Sequence, residues 1–241
     1  MGLPSSGSKP TPSAFLTVGC FHFGTTLLRR MLNAHPDVAV APETFFMRHF
    51  WEQRDAYGDL SEAAVLDRLI DNLVATPAFE SMGLNAEAIR DAVHRAGHRW
   101  SKVFLILLRR FAERRDAQFV GEKTPNHVLF LPTLCRWYPD ARFVHLVQDP
   151  RAVPNPWRTV PWSLGYRWRD AEVWDEFVRA GRRAEEVGER VHSLHFEALV
   201  RSPEEELRAV CDHLDLPYDG QMLAFHKQES ATVDLEREPW K

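Results

Sequence analysis

Lysine is scarce in this chain: of thirty basic residues only five are Lys, the rest Arg. With a net charge of −4, and basic residues interspersed with acidic ones along the helices, there is no continuous cationic face; nucleic acid is excluded as the main partner. Cysteine is also rare. Cys20, Cys135 and Cys211 show no C-x-x-C spacing, which excludes a disulfide scaffold and a zinc ribbon and is consistent with free thiols in a reducing cytoplasm. No apolar run reaches the roughly 18 residues that a bilayer span requires, so no membrane association is expected. Residues 1–12 are rich in Ser, Pro and Gly and have no apolar signal core; they read as a disordered leader. There is no G-x-S-x-G elbow, no Ser-His-Asp arrangement and no histidine spacing for a metal, so no metal site is expected.

What is present is a large apolar reserve. Hydrophobic residues make up 44% of the 241, with eight Trp and fifteen Phe, enough for a substantial core in one domain. The domain is expected over residues 13–227, with a helical segment at 60–115 and a loose tail at 228–241. Its central stretch is Ala14 to Leu32, AFLTVGCFHFGTTLLRRML. An apolar strand stops at Gly19, a short loop follows, and a helix begins at Gly24-Thr25-Thr26. Strand, loop and helix N-terminus bind phosphate because the first-turn N–H groups are unpaired and carry the positive end of the helix dipole. The P-loop lysine of G-x-x-x-x-G-K-[ST] is missing.

Further strands are expected at Asp37 to Val40, Ala117 to Val120, Ala141 to Val147 and Val191 to Phe196. Helices are expected at Phe45 to Trp51, after a Ser61 cap, at Ala86 to Ala96, Lys102 to Arg114, Asn126 to Tyr138 and Asp170 to Arg190, and after a Ser202-Pro203-Glu204-Glu205 capping box. Thr76 to Asn85 reads as a connection. Strands separated by helices imply a parallel sheet covered on both faces, an α/β fold with no internal repeat. Ligands in such sheets bind at the carboxyl ends of the strands, where Cys20 to Thr26, Glu122 to Asn126 and Gln148 to Trp157 all fall.

These segments resemble the PAPS-dependent sulfotransferases, most closely the bacterial and tyrosylprotein-type branch. (PAPS is 3′-phosphoadenosine 5′-phosphosulfate.) The resemblance rests on Val18-Gly19-Cys20, Gly24 to Leu28, Leu32 to Pro36, Pro42-Glu43-Thr44, VHLVQDPRAVPNPW from Val144 to Trp157, Glu197-Ala198-Leu199 and Ser202-Pro203. It covers about Phe15 to Leu223 and implies the sulfotransferase-like, P-loop-like fold. By that resemblance Glu43 corresponds to the general base and Lys123 to the lysine that contacts the transferred sulfuryl group. Read from the residues alone, Glu43 could equally be an exposed helix-start carboxylate and Lys123 a surface partner of Glu122.

The chain departs from the family where the donor binds. Phe21-His22-Phe23 replaces P-R-S before G-T-T, and Gln148 and Pro156 replace the Arg and Ser that would hold the 3′-phosphate. Charge-assisted hydrogen bonds contribute about 1.5–3 kcal/mol each, so four lost donors amount to on the order of 6 kcal/mol. On that ground the sequence is read as an enzyme that has lost PAPS and uses no cofactor. It would act by acid–base catalysis through Glu43, His22 and Lys123 on an apolar small molecule of secondary metabolism, in a cyclisation, isomerisation or elimination. Phe21, Phe23, Gly24, Thr25, Thr26, Gln148, Arg151, Pro156 and Trp157 would line the ligand site. The first alternative keeps PAPS as co-substrate and sulfates a small-molecule hydroxyl. The second is a non-catalytic ligand-binding pseudoenzyme. The oligomeric state is left open.

Overall fold

The computed structural model describes residues 13–21, 24–96, 98–151, 167–186 and 190–227. The expected leader, the tail, His22, Phe23, Pro156 and Trp157 lie outside these residues. Five parallel strands form one sheet in the order β2-β3-β1-β4-β5. They are β1 (Ser13–Gly19), β2 (Val38–Ala41), β3 (Phe119–Lys123), β4 (Arg142–Val147) and β5 (Val191–His195). β1 is central, with Thr17 paired in register to Lys123 on one side and Val144 on the other.

The strands read as unbroken apolar runs because both faces of the sheet are buried. Side-chain alternation then divides them between two cores. On one face Leu16, Val18, Ala39, Ala41, Val120 and Phe143 pack against the helical segment; on the other Phe15, Val38, Val40, Val144 and Leu146 form the second core.

The helices, in chain order, are α1 (Thr25–Asn33), α2 (Arg54–Tyr57), α3 (Ala63–Val74), α4 (Pro77–Met82), α5 (Ala86–Ala96), α6 (Trp100–Arg114), α7 (Leu131–Trp137), α8 (Arg167–Glu186), α9 (Phe196–Arg201) and α10 (Pro203–Leu214). A single turn of π-helix covers Met47–Trp51. Leu66, Leu69, Ile70, Val93, Phe104 and Leu107, from α3, α5 and α6, share one core with β1, and Phe46 stacks on Phe104 at 4.7 Å.

Several boundaries differ from the sequence reading. Thr76 to Asn85 is not a plain connection: Pro77 occupies the first turn of α4, and Thr76 Oγ1 accepts from the Phe79 N–H at 3.2 Å. A threonine N-cap followed by proline is a helix start, and the segment carried that signal. Ser61 caps nothing; its N–H donates to Asp59 Oδ1 at 2.9 Å, and Glu62 is the N-cap of α3. The Ser202 side chain makes no capping bond either, while Glu204, Glu205 and Glu206 complement the helix dipole at the start of α10. β3 runs on through Glu122 and Lys123 because both charges are buried and partnered. The expected helix Asn126 to Tyr138 is a 3-10 turn, Pro125–Phe130, followed by α7, with Pro132 in its first turn, where a missing N–H costs nothing.

His145 lies fully buried on β4, with its ring against Gly181 of α8 and its Nδ1 3.5 Å from Ser193 Oγ. Burial pushes its pKa from 6.5 down to about 4, against the pull of Glu185. The unfolded chain therefore binds a proton that the folded chain refuses, and stability is lost as pH falls from 6.5 toward 4. The loss from this group is expected to approach roughly 3 kcal/mol. Urea unfolding across that pH range should show a smaller decline in a His145→Gln variant than in the wild type; equal slopes would contradict the assignment.

Candidate active site

Where β1 ends, Phe21 turns inward and packs on Phe177 of α8, with ring centroids 5.2 Å apart. It is partly buried and packs at the edge of the core. Gly24 then opens α1 with φ 80° and ψ 0°, a left-handed conformation that side chains disfavour. A Cβ there would lie 2.0 Å from the Phe196 ring. No side chain caps α1, and its first turn contains no acid. Thr25 is buried and Thr26 half-buried at the start of the helix. This N-terminus is suited to an anion.

Lys123 closes β3 with a side chain only 1% exposed, and it forms a short ion pair with Glu43, the residue two beyond β2. Lys123 Nζ also lies 3.5 Å from Thr26 Oγ1. The strand order places β2, β3 and β1 side by side, which brings carboxylate, ammonium and helix N-terminus to one point at the carboxyl edge of the sheet. Both bland readings are therefore corrected. Glu43 is not a helix-start carboxylate, since residues 42–45 form no helix, and Lys123 is not on the surface and does not pair with Glu122.

Glu122 faces the other way. Its carboxylate, fully buried, accepts from Thr44 Oγ1 at 2.8 Å, from the Thr44 N–H at 3.1 Å and from Thr124 Oγ1. His127 Nδ1 stands 3.1 Å from its second oxygen. Sequence reasoning considered Glu122 only as a partner for Lys123 and missed His127, although the period-two alternation of a strand already sets neighbouring side chains on opposite faces.

The second expected phosphate-binding stretch follows β4. The Gln148 carbonyl accepts from Trp174 Nε1 at 3.0 Å, and the Asp149 N–H donates to Glu197 Oε1 at 2.9 Å. Arg151 folds back on Asp149, with Nη2 2.6 Å from Oδ2, while its side chain stays 89% exposed. Hydrogen bonds from Arg151 hold the Asp149 carboxyl down at about 2. Arg151 is thus not gathered with Glu43 and Lys123. Two residues that sequence reasoning missed as parts of the site frame both of its loops from the start of α9: Phe196 against Gly24, and Glu197 under Asp149. A cavity of about 260 Å³ lies away from this site, lined by Ala14, Phe119, Arg142 and Arg190. Among the described residues no group of three or more His, Cys, Asp or Glu side chains is placed to hold a metal.

The family model described as "Sulfotransferase family" matches residues 14–220. The chain belongs to the sulfotransferase family. A candidate protein-tyrosine sulfotransferase of Caenorhabditis briggsae is 29% identical over 219 residues, covering 88% of this chain and 69% of that one. Protein-tyrosine sulfotransferase 1 of Danio rerio is 24% identical, covering 95% of this chain and 59% of its own length. Among solved structures, the sulfotransferase domain of a Synechococcus olefin synthase superposes with a TM-score of 0.60 at 21% identity, over 92% of this chain and 79% of that one. At that identity the likeness establishes the fold. The matched span takes in β1 from Ala14 through β5 and every residue of the Glu43–Lys123–Thr26 group. No helix among the described residues is long and apolar enough to cross a membrane.

Proposed function

We propose that this chain transfers a sulfuryl group from PAPS to a hydroxyl of a small molecule. The observation that carries the reading is the Glu43–Lys123 pair set against the uncapped N-terminus of α1. Family membership favours it over the cofactor-free reaction expected from the altered donor residues. Gly24 and the uncapped first turn of α1 at Thr25 and Thr26 are in place for a 5′-phosphosulfate.

The residues present fit the donor. The N–H groups of Thr25 and Thr26, behind the left-handed turn at Gly24, would hold the phosphosulfate, with Thr26 Oγ1 as a further donor. PAPS, when bound, supplies the activated sulfuryl group and leaves as PAP. Glu43 takes the proton from the acceptor hydroxyl as its oxygen bonds to sulfur; the electron pair of the broken S–O bond stays on the phosphate of PAP. Lys123 pairs with Glu43 and sets positive charge beside Thr26, where negative charge moves during transfer. The three cysteines, which pair with one another nowhere, are in keeping with a cytoplasmic setting.

Calorimetric titration with PAP tests the reading first. Binding in the micromolar range, about −8 kcal/mol, is expected. Absence of binding at millimolar PAP would return the chain to the cofactor-independent or pseudoenzyme readings.

A further inference from the structure

We infer that Glu122 and His127 are positioning residues that clamp the segment bearing Glu43. The inference rests on the proposed role of Glu43 as base. A carboxylate at 0% exposure is costly unless partnered, and the hydrogen bonds to Glu122 Oε1 come from this segment and from Thr124, with His127 Nδ1 3.1 Å from Oε2. Three anchors, at Thr44, Phe45 and Met47, hold the chain after Glu43. The Thr44 N–H and hydroxyl go to Glu122. The Phe45 N–H reaches Thr124 Oγ1 at 3.4 Å, and that hydroxyl is itself bound to Glu122. The Met47 N–H donates to His127 Nε2 at 3.4 Å.

The last contact assigns the tautomer. With Nε2 accepting, a neutral ring carries its proton on Nδ1, the nitrogen that stands 3.1 Å from Glu122 Oε2. Burial pushes the Glu122 carboxyl up, but His127 and the Thr44 and Thr124 donors outweigh it and hold the group ionised.

The clamp also accounts for Phe45. Its φ of 49° is a conformation that a bulky aromatic residue adopts only where its surroundings over-determine it. Anchors at Thr44 and Met47 flank it on both sides. One strand thus governs both ends of the ion pair: Lys123 directly on one face of β3, and Glu43 through Thr44 on the other.

Glu122→Gln keeps the shape but offers one acceptor oxygen in place of two, so it cannot serve both His127 Nδ1 and the threonines. Thr44→Val removes one donor, and Thr44→Ser keeps it. With only five lysines, 13C-lysine NMR resolves Lys123 and reads its pairing with Glu43 without any turnover. In Glu122→Gln and Thr44→Val the Lys123 resonance is expected to move toward the values of exposed lysines. Amide exchange at residues 44–47 should rise at least about tenfold while α3 and α6 are unchanged. Transfer from PAPS to a phenol probe should lose at least about tenfold in kcat with the PAPS KM within about twofold, and Thr44→Ser should restore all three readouts. An unmoved lysine resonance with unchanged exchange overturns the clamp, and so does faster exchange with undiminished kcat. If the wild-type protein neither binds PAP nor transfers, the sulfotransfer reading falls, and resonance and exchange still decide the clamp.

Discussion

Glu43→Gln is expected to lower sulfuryl transfer by roughly 10²–10⁴-fold, the contribution of a positioned general base, with PAP affinity nearly unchanged. The split follows from geometry. Glu43 pairs with Lys123, whereas the N–H groups proposed to hold the donor belong to α1. The substitution keeps the shape but leaves the buried Lys123 ammonium without its counter-charge, so a thermal melt of the variant accompanies the kinetics and confirms that the protein assayed is folded. Steady-state kinetics with PAPS and a phenol, beside a PAP titration, check both halves. Turnover within about threefold of wild type would remove Glu43 from the chemistry, because no other carboxylate stands beside Lys123 in the described site.

Gly24→Ala is expected to act on the opposite half. Its φ of 80° costs a side chain about 1–2 kcal/mol by itself. The new methyl would also sit 2.0 Å from the Phe196 ring, so α1 must shift away from α9. For a chain of this size each kcal/mol lowers the melting temperature by about 2–4 °C. PAP affinity should fall at least about tenfold, since the cradle N–H groups move with the helix. The double variant Gly24→Ala/Phe196→Ala removes the collision but not the backbone strain, and should recover part of the affinity. Wild-type PAP binding by Gly24→Ala would show that the donor does not use this loop. Thermal melts and calorimetry on the single and double variants decide it.

Much of the frame was legible beforehand, for local reasons. AFLTVG followed by GTTLLRRML contains a buried strand, a glycine stop and an amphipathic helix within one short window, and β1 and α1 form there. Lys102 to Arg114 and Ala141 to Val147 were equally plain. Errors fell where a charge or a proline was taken as an end. Glu122 and Lys123 extend β3 because each finds its partner across the sheet, and Pro77 begins a helix that Thr76 caps. The ring neighbour of Phe21, Phe177, lies 156 positions later, beyond the reach of a local reading.

The sequence by itself determined the fold class, the family and the identities of Glu43, Lys123 and Thr26, because apolar period, loop glycines and motif residues are properties of contiguous stretches. Only the tertiary structure decided which of these residues meet. Glu43 and Lys123 are 80 positions apart, and they touch because β2 and β3 lie side by side in register. The same alternation sent Glu122 to the opposite face, where Thr44, Thr124 and His127 satisfy it. Arg151 shows the converse: the motif retained the cation, and the fold turned it onto Asp149. Hydrogen-bond partnership depends on strand order and on which face a side chain leaves, and neither is written in the spacing of the residues concerned.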